Sequence, residues 1–178
     1  MNLRSGPVTP DGPAVGKLLV AEQVLAPSRA ALQASSCEHE PHEGLVFWIG
    51  RTIGVDTLVL SVVAVPTDHH RDGVFVNEHT VAATGRAARG AGLGLVAQVH
   101  SHPGTNTRHS VGDNQLITMP FHGMFSLVVA DYGRGSLLPA QGAGLHQYQH
   151  GRWVHLTTDA MVMVPALTST GGCHDQHA

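Results

Sequence analysis

The sequence predicts an α+β fold built on a mixed, mostly antiparallel sheet, and three observations carry this prediction. The chain has 178 residues, the length of one domain, and 42% of them are hydrophobic, which is enough for a packed core. Short runs rich in Val, Leu and Ile recur along the chain and are separated by Gly turns, as in β-hairpins. Two Ala-rich segments interrupt them and predict helices, and this order of elements is typical of the α+β class.

The first elements are predicted from the positions of Pro and Gly, which interrupt helices and strands, and from the helix and strand propensities of the residues between them. Residues 1–16 contain Pro and Gly without apolar periodicity, which predicts a flexible leader before a domain over 17–157. Residues 17–25 predict a strand, and the segment that follows predicts a helix over 27–36 with Pro27 near its start.

The remaining elements alternate between strands and helices. Two β-branched runs on either side of Gly54 predict an antiparallel hairpin, and a polar loop is expected after it. The expected segments are strands over 43–51 and 56–66, the loop over 67–73, a helix over 78–89, a strand over 93–104, a helix over 110–119, a strand over 124–133 and a hairpin over 142–157. A C-terminal tail is expected over 158–178.

Charge and composition argue against several classes of function. The net charge is −3 and the sequence has no Lys/Arg block, so we expect no nucleic acid and no anionic membrane as partner. No apolar run approaches the roughly 20 residues of a membrane span, and the first residues lack a signal sequence, which predicts a cytoplasmic protein. Cys37 and Cys173 are too few for a disulfide framework and are expected to be free thiols.

Histidine is unusually frequent, with 14 residues, and one stretch arranges two of them for metal binding. On a strand, side chains alternate between faces, so His100 and His102 point the same way with Cα atoms about 7 Å apart. Pro103 ends the strand, and the turn after it can bring Asp113 back as a third ligand. Two His and one Asp are a donor set for catalytic zinc, which keeps its fourth position open.

Simpler explanations compete with each of these assignments. A histidine at a strand end is usually a hydrogen-bonded residue, and Ser110 with Asp113 three positions later is also a helix-capping pattern. The segment 39–42 (HEPH) lacks the spacing of H-E-x-x-H, and Pro41 would disrupt the helix which that motif needs. The remaining histidines are expected to lie at the surface, and these include His69, His70, His174 and His177. His109, beside Ser110, is a candidate to line the site.

The spacing His100, His102, Ser110, Asp113 resembles the H-x-H-x7-S-x-x-D signature of the JAMM/MPN-plus zinc metallopeptidases, which include prokaryotic JAB-domain proteins. That family also has a Glu before an early apolar strand, and Glu43 ahead of GLVFWIG resembles it in placement. The resemblance implies a JAB/MPN domain, a curved sheet flanked by helices in a cytidine-deaminase-like three-layer arrangement. It implies Zn²⁺ held by His100, His102 and Asp113, with Glu43 as general base and acid and Ser110 stabilising the oxyanion.

The resemblance also implies a substrate class. We expect hydrolysis after the C-terminal tail of a ubiquitin-like or sulfur-carrier-like protein, either as deconjugation or as precursor processing. E1-like or E2-like proteins encoded nearby would be partners in a bacterial conjugation or anti-phage system. Two alternatives remain open at this stage: a non-catalytic MPN-type module that binds a protein partner, and a DNA-repair-associated domain, for which the sequence supplies no basic face.

Overall fold

The computed structural model describes residues 9–36, 40–113 and 120–166, and the following elements lie within these ranges. The strands are β1 (Leu18–Ala21), β2 (Leu45–Ile53), β3 (Asp56–Ala64), β4 (Asp68–His70), β5 (Gly73–Phe75), β6 (Gly94–Ser101), β7 (Phe125–Val129), β8 (Gly144–Gln149), β9 (Arg152–His155) and β10 (Met161–Val164). The helices are α1 (Leu25–Ala34) and α2 (Glu78–Gly90).

Eight of these strands form one mixed sheet in the order β10-β1-β3-β2-β6-β7-β8-β9. Strand β2 pairs antiparallel with both β3 and β6, β7 pairs antiparallel with β8, and β8 pairs antiparallel with β9. Three pairings are parallel: β1 with β10, β1 with β3, and β6 with β7. The α+β class and the mixed, mostly antiparallel sheet that the sequence predicts are therefore confirmed.

The central strand β2 is buried on both faces, which explains its nearly continuous apolar sequence. Val46 and Trp48 pack into one core cluster, which includes Leu32 of α1. Leu45, Phe47 and Ile49 pack into a second cluster, which includes Ala88 of α2. Two hydrophobic layers, one on each side of the sheet, are the result.

A buried hydrogen bond joins α1 to this central strand. The indole Nε1 of Trp48 donates to Ser28 Oγ at 2.8 Å, and Ser28 Oγ in turn donates to the carbonyl of Val24 at 2.7 Å. A buried indole N–H needs such a partner, because leaving it unsatisfied costs about 1–3 kcal/mol. The contact fixes α1 against β2 next to the start of that strand.

Residues 67–73, expected to be a loop, instead contribute to a short hairpin. Strands β4 and β5 pair antiparallel with His69 opposite Val74, and Val74 is buried in the second core cluster. This hairpin is hard to predict from sequence, because one buried apolar residue in a polar segment is too weak a pattern to indicate a strand. The helix expected over 110–119 falls largely outside the described residues.

Parts of the expected leader and tail pack against the sheet. The amide of Gly12 donates to the carbonyl of His155, and the amide of His155 donates to the carbonyl of Pro10. At the other end of the sheet, β10 comes from the expected tail and pairs with β1. The described part of the expected leader thus hydrogen-bonds to β9, and the described part of the expected tail supplies β10. None of the helices within the described ranges is long and apolar enough to cross a membrane.

Candidate metal centre

Strand β6 presents two imidazoles from the same face of the sheet. His100 and His102 lie two residues apart at its C-terminal end, and their ring centroids are 5.1 Å apart. Ser101 between them faces the other way, where its Oγ accepts a hydrogen bond from the amide of Gly44. The period-2 geometry predicted from the sequence therefore holds at this position.

The third donor returns from the loop that follows β6. The carboxylate of Asp113 lies 3.1 Å from His102 Nε2 through its Oδ2 and 3.4 Å from His100 Nε2 through its Oδ1. All three side chains are buried, with His100 fully inaccessible to solvent. One ligand atom from each residue lies within 4.8 Å of the others, and among the described residues this is the one such group of His, Cys, Asp or Glu.

These donors fit a divalent metal ion. Two donors bound at about 2.0–2.1 Å with tetrahedral angles lie roughly 3.4 Å apart, close to the separations between the imidazoles and Asp113. His100 Nε2 is buried, and among the described residues no partner meets hydrogen-bond geometry with it, although the Asp113 carboxylate lies 3.4 Å away. Such a nitrogen costs free energy unless it binds something else. Two imidazole nitrogens and a carboxylate are also a preferred donor set for zinc and similar transition metals.

A hydrogen bond to the backbone orients one of the two imidazoles. Nδ1 of His102 lies 2.7 Å from the carbonyl oxygen of Asn106, an acceptor, so this nitrogen carries the proton and donates it. Nε2 faces the Asp113 carboxylate at 3.1 Å, and with a metal bound between them it would offer its lone pair to that ion. Such contacts from the second nitrogen of a ligating His are typical of metal sites and fix its tautomer and orientation.

The three groups also shift one another's pKa. Burial opposes ionisation of Asp113, but the contacts of its carboxylate with the imidazoles of His100 and His102 outweigh burial and hold its pKa well below the usual range. Burial lowers the pKa of His100, which keeps that imidazole neutral. Burial also acts to lower the pKa of His102, but the hydrogen bond and charge of Asp113 raise it overall. A carboxylate beside a neutral imidazole with its Nε2 lone pair available is the state that binds a metal.

Glu43 lies directly across the sheet from His102. Leu45 pairs with His100, and the pairing continues where the amide of Ser101 donates to the carbonyl of Gly44. The next residues along, Glu43 and His102, are therefore opposite each other and face the same side. Glu43 is buried, and its charge raises the pKa of His102, which places the carboxylate within electrostatic reach of the site.

Gly44 is a steric requirement next to Glu43. A Cβ at this position would lie 2.5 Å from the carbonyl oxygen of Leu32 at the end of α1. Only Gly allows the start of β2 to approach the helix this closely. The Gly that follows Glu43 in the sequence thus has a packing role that brings the Glu into the site.

Ser110 and Asp113 form a reciprocal pair. The amide of Asp113 donates to Ser110 Oγ at 3.2 Å, and the amide of Ser110 donates to the Asp113 carboxylate. This is the capping arrangement that the sequence left open as an explanation. The same contacts leave the Ser110 hydroxyl hydrogen available, because Oγ is used as an acceptor, and the side chain is exposed beside the buried carboxylate.

The other histidines have varied surroundings. His42 and His69 approach each other with their Nδ1 atoms 2.8 Å apart, and His109 is buried with its ring centroid 5.8 Å from that of His100. From the sequence, His109 is a candidate to line the site. His146 could not be identified in this way, because the residues that contact His146 come from distant parts of the chain. Residues 37–39 and 167–178, with both cysteines and His39, His174 and His177, lie outside the described ranges.

The comparison with family models decides the assignment. A model of the prokaryotic homologs of the JAB domain matches residues 25–137, which include Glu43, His100, His102, Ser110 and Asp113. The chain belongs to this JAB-domain family. The resemblance inferred from the spacing of its histidines, Ser and Asp is confirmed.

Individual relatives agree with this assignment. This JAB domain is 27% identical over 140 residues to a protein of Sinorhizobium fredii named "Probable metalloprotease y4jG", with 75% of the chain and 85% of that protein covered. Its fold is similar to the solution structure of protein DSY2949 from Desulfitobacterium hafniense, with a TM-score of 0.63 at 16% identity, covering 84% of this chain and 94% of that one. A Salinibacter ruber protein gives a TM-score of 0.52 at 18% identity, with 76% and 86% covered.

The metal centre can be tested by removing one charge. Asp113→Asn keeps the size of the side chain and the bond from the Ser110 amide, but it removes the anionic donor between the two imidazoles. We expect the affinity for Zn²⁺ to fall by more than about 100-fold, because losing a ligand costs more than losing one of its supporting contacts. Competition with a chromophoric chelator measures this affinity. His122→Gln, at an exposed histidine, is the matched control, and equal affinities in the two variants would contradict the assignment.

Proposed function

We propose that this JAB domain is a zinc-dependent metallopeptidase that hydrolyses an amide bond. The observation that carries the proposal is the meeting of His100, His102 and Asp113 around one point, with the buried Glu43 close enough for its charge to raise the pKa of His102. The relative named as a probable metalloprotease supports the same reaction class. A module that only binds a partner would have no need for a buried donor set beside a buried Glu.

His100, His102 and Asp113 would hold the zinc ion. When bound, such an ion polarises the scissile carbonyl and lowers the pKa of water toward about 7. The protein supplies the geometry: His102 is fixed through Asn106, and Asp113 is fixed through Ser110. With three protein donors, one position is left for water or substrate.

Glu43 would transfer the protons of the reaction. Its carboxylate accepts a proton from the attacking water and then donates that proton to the nitrogen of the leaving amine. Glu43 is buried, so its carboxylate lies largely away from bulk solvent. The backbone of Glu43 is held in place by its amide, which donates to the carbonyl of His70 at 2.9 Å.

Ser110 would stabilise the negative charge that develops on the carbonyl oxygen. Its Oγ accepts from the amide of Asp113, so the hydroxyl hydrogen can point toward a substrate oxygen. The side chain is exposed, as a group that contacts substrate must be. One residue can therefore cap the segment and donate to the oxyanion.

The substrate that we propose is the C-terminal tail of a ubiquitin-like or sulfur-carrier-like protein, joined through an isopeptide or a linear peptide bond. An extended tail binds by adding to an exposed strand edge. The short hairpin β4–β5 lies beside Glu43, because the carbonyl of His70 in β4 accepts from the Glu43 amide. Its strand β5 carries Phe75, a side chain that is 56% exposed and is suited to contact an incoming tail. E1-like or E2-like proteins encoded beside this chain would support deconjugation.

Glu43→Gln tests the proposed reaction. The substitution removes the base but keeps the shape of the side chain, so folding and zinc content should be unchanged while kcat falls by about 10²- to 10⁴-fold. The measurement is cleavage of a ubiquitin-like protein fused through its tail to a fluorescent reporter, with and without a zinc chelator. Glu40→Gln, at an exposed carboxylate three residues earlier, is the matched control and should leave kcat unchanged. Full turnover by Glu43→Gln would remove Glu43 from the mechanism.

Ser110→Ala and Ser110→Thr separate the two roles of this hydroxyl. Loss of the hydroxyl should lower kcat by about 10²-fold with little change in KM, because the donor acts on the transition state. It should also cost about 1 kcal/mol of folding free energy through the lost cap. Thr keeps a hydroxyl and should restore most of both quantities. A destabilised Ser110→Ala with wild-type kcat would leave Ser110 with the capping role alone.

A further inference from the structure

A row of polar side chains crosses the sheet beneath the loop that carries Ser110 and Asp113. Four neighbouring strands contribute to it in register, since Gln98 pairs with Ser126, Ser126 with His146, and His146 with His155. We call these four residues the polar row. Gln98, Ser126 and His146 are fully buried, which is unusual for polar side chains and requires partners.

His109, in the loop between β6 and Asp113, packs against the polar row. Its ring stacks on that of His146 with centroids 4.0 Å apart and an interplanar angle of 23°, and it meets Trp153 edge to face at 4.9 Å. Nε2 of His109 lies 2.8 Å from Ser126 Oγ, which also accepts from the side-chain amide of Gln98. His109 is thus bound by side chains from both β7 and β8.

The backbone of the loop is bound at the same place. The amide of His109 donates to Nε2 of His146 at 3.3 Å. This amide lies immediately before Ser110, so the hydrogen bond fixes the peptide that leads into the Ser110–Asp113 pair. Burial lowers the pKa of His146, as do the neighbouring His109 and His155, and the neutral ring keeps a lone pair on Nε2 for this contact.

The preceding residues of the loop are held against the same part of the sheet. A Cβ at Gly144, the first residue of β8, would lie only 1.8 Å from the carbonyl oxygen of Thr107. Thr107 Oγ1 donates to the carbonyl of Gly142, and Arg108 pairs with Asp11 at 2.9 Å. These outer contacts are exposed to solvent, whereas the contact of His146 with His109 is buried.

We propose that His146 is a positioning residue of the metal centre: its Nε2 holds the His109 peptide, and through it Ser110 and the Asp113 carboxylate, in place opposite His100 and His102. His146 acts through the loop and contacts neither substrate nor metal. The consequence for turnover rests on the proposed function. The consequence for metal binding rests only on the donor geometry, so the two can be measured separately.

The experiment compares His146→Leu with His146→Gln in the full chain. Leu fills most of the space but cannot accept a hydrogen bond, whereas the Gln side chain offers an oxygen to the His109 amide. We expect Leu to weaken Zn²⁺ binding by about 10- to 100-fold, the effect of losing a contact that orients a ligand, and Gln to restore most of the affinity. The visible absorption of the Co²⁺-loaded protein should change in the Leu variant and stay close to wild type in the Gln variant.

His79→Leu, at an exposed histidine of α2, is the control for loss of an imidazole and should leave both readouts unchanged. Zn²⁺ affinity and Co²⁺ absorption that are unaltered in His146→Leu would overturn the proposal. Equal losses in the Leu and Gln variants would also overturn it, because they would show a general packing role. If His146→Leu does not fold, Ser126→Ala removes the other partner of the His109 ring, and unaltered metal binding there would likewise overturn it. Peptidase assays on the wild-type chain test the proposed function independently.

Discussion

The antiparallel register between β2 and β6 is the constraint on which the site depends. With Leu45 opposite His100, continuing this register past the ends of the strands brings Glu43 opposite His102, on the same side of the sheet. Since side chains alternate with a period of two, a slip of one residue would turn one partner to the opposite face. The burial of β2 on both sides makes such a slip costly, because Phe47 and Trp48 would exchange their core clusters. Hydrophobic packing far from the site therefore sets the geometry between Glu43 and the group formed by His100, His102 and Asp113.

The loop from β6 to Asp113 brings a charged carboxylate into a buried position. A carboxylate away from water is unfavourable unless partners compensate it. Asp113 has them: the two imidazoles and the amide of Ser110. The loop is bound along its course to residues of β8 and to the N-terminal segment, so that order in the loop does not depend on Asp113 alone. Metal binding, in this view, completes a site that packing and hydrogen bonds have already arranged.

Much of the fold, and the meeting of His100, His102 and Asp113, could be predicted from the sequence because the signals are local. His100 and His102 follow from strand periodicity, and Asp113 follows from the spacing that the family shares. Glu43 required the resemblance as well, since no local pattern distinguishes it from Glu40. The hairpin β4–β5, the pairing of β10 with β1 and the contact of Gly12 with His155 could not be predicted, because each depends on residues distant in sequence. The role of His146 could not be predicted for the same reason, because its partner His109 lies 37 positions earlier in the chain.

We propose that His100, His102 and Asp113 bind one divalent ion and leave one position open. Anomalous diffraction at the zinc absorption edge, from crystals grown with Zn²⁺, would locate that ion. We expect a single strong peak about 2.0–2.2 Å from Nε2 of His100, Nε2 of His102 and the carboxylate of Asp113, with water or an added ligand as the remaining donor. A fourth protein donor at that distance, or no peak between these three side chains, would contradict it.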